Sequence, residues 1–402
     1  MSTSTMVCEA ELSTPEVIAN PYPVYHQWRR QSPLNYRFLP AGAVMGFNEP
    51  IRAWALLRHE DVYTVLRDHE TFSSRHQLVG KIGPPLALIN DDPPRHARFR
   101  RLVNKTFTLK RIEALKPWMM HVADALLDQM ESGEQDVIDT FAIPLPLQVI
   151  ARLLGIPGED YLTFKRWSVT FFAFSSMSAE ERARSNRDMM AYFGQMVAAR
   201  RSQGAEDLIT ALVEAEIEGE SLTEAEILGF CMLLLIAGNE TTTNLIGNML
   251  GVLADRPELW EQLRQDRSLV DTVIEETLRF ESPTQRLSRQ TTRAVELSGV
   301  SIPAGELVTV YYGAANRDPD IFPNPDEFRL DRNLRNHVAF GMGIHYCLGA
   351  PLAVAEASVV LNKLLDRYPV LRRGSQPAER QTTNFVVLGY QSLPLFLGEQ
   401  AV

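Results

Sequence analysis

His337-Val-Ala-Phe340-Gly341-Met-Gly343-Ile-His345-Tyr-Cys347-Leu-Gly349-Ala-Pro351 puts a single cysteine behind a glycine-rich loop, and a helical pattern follows at once over residues 352–365. Glycines at these positions open backbone angles closed to other residues and let a flat ligand come close to the main chain. A cysteine at a helix start meets unpaired N–H groups and the positive end of the helix dipole, which favour thiolate over thiol. Cys347 is therefore a candidate nucleophile or metal ligand, and Pro351 is compatible with a first helical turn. Taken alone, a buried cysteine is more often a small hydrophobe, and glycine turns before helices are common.

The spacing changes that balance. Phe340-Gly341-x-Gly343-x-His345-x-Cys347-x-Gly349, six set positions in ten residues, resembles the proximal loop of the cytochrome P-450 family. The resemblance implies that Cys347 is the axial thiolate of a haem b iron, with Phe340, Gly341 and Gly349 shaping the loop against the porphyrin. A thiolate pushes electron density onto iron and favours O–O cleavage, so oxygen activation has a reason to use cysteine here. It also implies a mainly α fold with a small β region, haem lying between a long central helix and the cysteine loop with its helix.

Composition is compatible with that reading. The chain has 402 residues, 45% of them hydrophobic, enough for a large buried core. A net charge of -10 argues against nucleic acid as a partner and makes any basic cluster more informative. Cys8, Cys231 and Cys347 are too scattered for a disulfide framework and suit a reducing compartment. The N-terminus lacks the basic and apolar regions of an export signal. The longest apolar run, 227–238, is shorter than the roughly 20 residues that cross a bilayer. A cytoplasmic, monomeric protein with no membrane contact is expected.

No repeat or Gly/Ser linker breaks the chain, so one domain over 1–402 is expected, with a helix-rich core over about 95–280. The β-rich and haem-loop region is expected over 283–402 together with about 50–60. Residues 21–30 read as a short helix, 53–58 as a strand, 61–68 as a helix, and 295–302 as a hairpin turning at Ser298-Gly299.

Ser221-Leu-Thr-Glu224 reads as a capping box opening a helix that is apolar on all faces up to Ala237. Gly238-Asn239-Glu240-Thr241-Thr242-Thr243-Asn244 then interrupts it, and the apolar pattern resumes in phase from Leu245. The helix could simply end at Gly238. The resumed phase argues instead for polar groups inside a buried helix, where an uncompensated Glu costs several kcal/mol. Ala237-Gly238-x-Glu240-Thr241-Thr242 resembles the family's oxygen-activation segment. By that resemblance Ala237 lies against the cofactor, Glu240 relays protons in place of the Asp of many bacterial members, and Thr241 supplies the hydroxyl that steers them.

Glu276 and Arg279 share a helix face three residues apart; in isolation they read as a solvated pair. In context they are similar to the family's Glu-x-x-Arg pair, with Arg332 as third member of a structural triad. The haem propionates need cations or donors. His96, Arg100, Arg289 and His345 match the family's positions for them.

Residues 95–111 hold seven Lys or Arg and no acid. Most such runs are solvated faces, but opposite charge also steers fast, weak electron-transfer encounters. Arg98, Arg101, Lys105 and Arg111 are candidates for docking an acidic ferredoxin, itself reduced by an NAD(P)H-dependent ferredoxin reductase. Val354 stands where the family commonly has arginine. The expected activity is insertion of one oxygen atom of O2 into a C–H bond of a small lipophilic substrate. Its pocket would draw on residues 78–89, 171–174, 234–241, 286–288 and 385–388, with Arg75, Lys81 or Arg286 as possible carboxylate anchors. Two other readings stand beside it: a haem-binding sensor or carrier without turnover, and a Cys347/His345 hydrolase.

Overall fold

The computed structural model describes residues 12, 14–39, 49–79, 87–130, 132–172, 179–217 and 219–398. In chain order the elements that position the site are α1 (Tyr22–Arg29), β1 (Leu34–Leu39), β2 (Ile51–Leu56), α2 (His59–Arg67), β3 (Phe72–Ser73), α3 (Arg95–Thr106), α4 (Leu109–Asp128) and β4 (Gly133–Asp136). They continue with α5 (Pro144–Leu154), α6 (Glu224–Ala254), α7 (Val270–Phe280), β5 (Arg286–Thr291), β6 (Leu307–Tyr311), α8 (Ala350–Arg367), β7 (Val370–Arg373) and β8 (Pro394–Gly398). The chain is mainly α with small sheets, as expected. The short helix, strand and helix of the N-terminal region fall within two residues of their expected bounds, and the 295–302 hairpin turns at Ser298-Gly299.

The chain forms two compact units. One comprises residues 1–97, 278–347 and 382–388; the other comprises 98–277, 348–381 and 389–402. The first is built on a five-stranded sheet in the order β1-β2-β6-β5-β3, with β6 parallel to β2 and antiparallel to β5. All five β6 residues are buried, as befits the central strand, whereas exposed Arg52 interrupts β2. Tyr36, Ala53, Ala55, Leu307 and Tyr311 fill one face of that sheet with a shared core. β1 escapes the sequence pattern because Asn35 and Arg37 break its apolar run and its pairing is with β2 alone.

The second unit is organised on α6, against which α5 and α8 pack, while α8 also packs on α4. A three-stranded sheet, β7-β8-β4, completes it. Thus α8 and the sheet after it, which the sequence groups with the cysteine loop, belong with the helices.

α6 is one unbroken helix of 31 residues, so it does not end at Gly238. Its capping box is Thr223 with Glu226, two residues later than expected. The pattern occurs twice in the sequence, and Ser221 is taken by a hairpin pairing with Glu216. By length and composition alone α6 could span a bilayer, which the run 227–238 could not. Its covered faces and its buried Asn239, Thr242, Thr243, Asn244 and Asn248 are those of a core helix.

Candidate active site

Three contacts hold the cysteine loop in the first unit. Asn316, wholly buried, accepts the Val338 N–H at 2.7 Å and donates to Ser282 Oγ at 2.8 Å, anchoring the entry. His59 Nε2 lies 2.8 Å from the Asn336 carbonyl. Gly343, at φ +66°, is seated on the end of α2, where a Cβ would come within 2.6 Å of the Leu66 carbonyl oxygen. Glycine is needed there for both reasons. Gly341 is also left-handed, whereas Gly349 takes ordinary helical angles as the N-cap of α8. Cys347 thus lies two residues before the N-cap rather than opening the helix; its N–H donates to the Phe340 carbonyl at 2.9 Å. The thiol is half-buried and forms no disulfide.

Around this loop the first unit gathers His96, His345 and Arg289. His96 is 2% exposed, and its ring centroid lies 4.4 Å from that of His345. Ser74 Oγ is 2.9 Å from His345 Nε2, a partner that carries no recognisable sequence signal. Arg289 is 7% exposed, donates to the Ser288 carbonyl at 2.8 Å, and has no carboxylate partner among the described residues. A buried guanidinium without a counter-ion calls for an anion. Tyr312, 3% exposed, senses both groups: burial raises its hydroxyl pKa, Arg289 opposes this, and Cys347 adds to it. Arg100 sits one turn beyond His96 on α3 and is half-buried, within the second unit.

In the second unit, Ala237, Gly238, Glu240 and Thr241 are only half covered, in a stretch of α6 otherwise buried from Phe230 to Ala254. Gly238 allows α5 its close approach, since a Cβ would lie 2.8 Å from Ile150 Cδ1. Thr241 and Thr242 donate back to the carbonyls of Ala237 and Gly238 at 2.6 and 2.9 Å, and Thr243 donates outside the helix to Ala142. The polar stretch is therefore compatible with a continuous helix.

Of the structural triad, Glu276 and Arg279 are fully buried and Arg332 is half-buried. Arg279, fully enclosed, donates to the carbonyls of Asn316, Pro325 and Glu327 at 3.1, 2.9 and 3.1 Å. Arg332 donates to Pro323, Asn324 and Glu327. Both arginines thus converge on the coil that leads to the cysteine loop, and Glu276 on α7 is equally buried. They are not a solvated pair.

The basic segment divides. Arg98 is an internal tether: its guanidinium pairs with Glu226 and donates to the Ser221 carbonyl at 3.1 Å. Burial works against the Glu226 carboxylate, but Arg98 and Thr223 hold its pKa below the usual range. Lys105 donates to the Glu216 carbonyl yet stays exposed, as do Arg101 and Arg111. Of the possible substrate anchors, Arg75 is paired with Asp91, and Arg286 is 3% exposed with its guanidinium 4.1 Å over the Phe385 ring. Arg286 also points to the sheet face opposite Arg289, being three residues away on β5. Lys81, Phe174 and the side chains of Phe171 and Phe172 lie outside the described residues.

A half-buried thiol on a glycine loop, with a buried cation awaiting an anion nearby, suits an anionic metalloporphyrin with one thiolate ligand. Among the described residues no three His, Cys, Asp or Glu cluster to hold a bare metal ion. Those features define the haem-thiolate class. Comparison with known proteins agrees: residues 135–396 match the cytochrome P-450 family model. Cytochrome P-450 107B1 of Saccharopolyspora erythraea is 40% identical, the match covering 85% of this chain and 89% of that protein. Cytochrome P-450 monooxygenase PikC of Streptomyces venezuelae is 35% identical over 94% and 91% of the two chains. CYP109Q5 from Chondromyces apiculatus superposes with a TM-score of 0.87 at 36% identity, covering all of both chains. CYP109E1 from Bacillus megaterium, solved with testosterone, gives 0.83 at 36% identity, covering 94% of this chain and all of that one. This chain belongs to the cytochrome P-450 family. It is an oxidoreductase, a monooxygenase whose cofactor is haem b, and the hydrolase reading is set aside.

Proposed function

We propose that this chain is a single-domain, soluble, cytoplasmic and monomeric monooxygenase. It inserts one oxygen atom of O2 into a C–H bond of a small lipophilic substrate, with electrons from an acidic ferredoxin and its NAD(P)H-dependent reductase. The observation that carries the reading is the Cys347 loop, a half-buried thiol pinned through its own N–H to Phe340 and through Gly343 to α2. Cys347 Sγ would hold the haem iron as a thiolate. Arg289, His96, His345 and Arg100 would hold the propionates, while Phe340, Gly341, Gly349 and Ala237 would line the porphyrin. Bound haem supplies the activation of dioxygen and the oxidation of the C–H bond.

The protein's own part is proton handling. Thr241 parks its hydroxyl proton on the Ala237 carbonyl, leaving its oxygen to accept a hydrogen bond. Glu240, adjacent and half covered, holds the proton to be passed on. Glu276, Arg279 and Arg332 keep the coil in place. Arg101, Lys105 and Arg111 form the docking surface; Arg98 is withdrawn from it by Glu226.

The lipophilic substrate class is supported by apolar Leu234, Leu78, Val386 and Val387, and by the testosterone bound to the similar CYP109E1. The reduced protein under carbon monoxide should show the Soret band of a thiolate-ligated haem. C347S should lose it, and a C347S spectrum identical to wild type would overturn the proposal.

A further inference from the structure

His76 belongs to no motif and plays no part in the mechanism above, yet it lies within the electrostatic reach of Arg289. β3 pairs antiparallel with β5, Phe72 with Thr291 and Ser73 with Gln290. Ser74 follows directly where β3 ends, and Arg289 neighbours Gln290 on the facing strand. Ser74 in turn holds His345. Two residues on, His76 has its Nδ1 buried with no hydrogen-bond partner among the described residues. Burial, and after it the positive field of Arg289, depress its pKa to about 4, so the ring is a neutral donor at physiological pH. One buried nitrogen and one buried guanidinium, close enough to feel each other, are both without an acceptor of negative charge. An anion placed between them would satisfy both.

Resting on the haem reading above, we infer that His76 is a further propionate-binding residue, its Nδ1–H donating to the haem carboxylate that Arg289 neutralises. Ser74 acts one step removed, by fixing His345 and the segment that carries His76. The site is then a continuous basic edge of the first unit, His76, Arg289, His345 and His96, made by residues far apart in the chain.

Resonance Raman spectra of the ferric holoprotein test the assignment through the propionate bending bands, together with the rate of haem transfer to apomyoglobin. H76F should shift a propionate band and speed haem loss about tenfold or more, the scale of a lost hydrogen bond to a charged group. The thiolate-type carbon monoxide spectrum should persist. H76Q, which keeps an N–H donor and is the variant to use if H76F does not fold, should move the same band while retaining haem longer than any donorless variant. Propionate bands unchanged from wild type in the variants overturn the assignment of His76 alone. A wild-type chain that takes up no haem overturns the haem reading, and this inference with it.

Discussion

Glu240 and Arg98 show how little residue type alone says about role. Both are ionisable residues within reach of the fold's interior, but Glu240 is half covered beside Thr241, while Arg98 neutralises the buried Glu226. If Glu240 passes protons, E240Q should lower kcat by about a hundredfold, within the usual span of general acid–base contributions, and leave substrate KM nearly unchanged. Steady-state kinetics with product quantified would show it; an unaltered kcat would remove Glu240 from the proton path. R98A should leave the electron partner's KM unchanged and instead cost about 2 kcal/mol of stability, because a charged acceptor loses its partner. R111E should do the reverse, leaving the melting temperature alone while raising the ferredoxin's apparent KM and flattening its salt dependence. The four candidates in the basic segment look alike in sequence. What separates Arg98 from them is Glu226, 128 residues away.

At the scale of elements, α6 and α8 carry polar groups into the core in different ways. α6 satisfies its threonines within and beside the helix, whereas α8 buries Glu356, 1% exposed, with Oε2 lacking a hydrogen-bond partner among the described residues. Burial pushes that carboxyl well above the ordinary 4.5. In the unfolded chain the group ionises near its ordinary value, while the folded chain keeps the proton. Above pH 4.5 the unfolded state therefore gains by releasing it, and stability contributed by the neutral form is lost as pH rises toward the folded value. E356Q should melt less pH-dependently than wild type between about pH 5 and about pH 8, and should be the more stable of the two at the upper end. Equal slopes in paired melts would show that Glu356 ionises normally. Much at this scale is legible in sequence, since period and turn residues reveal α2, the 295–302 hairpin and α8. The start of α6 is not, because two capping patterns overlap and a hairpin decides between them.

For the whole molecule, the decisive connection is the coil 323–327, gripped by Arg279 and Arg332 at a common acceptor, the Glu327 carbonyl. R279A would strand the Asn316 and Pro325 carbonyls and leave Glu276 buried without this neighbouring cation, a loss of about 3–5 kcal/mol. That is a large part of the total stability of an ordinary domain, so the variant should accumulate little soluble, haem-loaded protein. R279K should rescue poorly, because an ammonium cannot reach several carbonyls from one plane. Soluble holoprotein yield is the measurement, and a wild-type yield of R279A would show the triad to be dispensable.

By itself the sequence determined the family, the thiolate candidate and the polar segment of α6, because each is a pattern of near neighbours along the chain. Backbone freedom at glycine, helical spacing and loop chemistry act over a few residues, so they are written locally. Only the tertiary structure decided which cations stay exposed, which are tethered inside, and that Arg289 lies buried with no carboxylate partner among the described residues, within electrostatic reach of His76. Those outcomes depend on desolvation and on charges brought together from distant segments, and neither exists until the chain has folded.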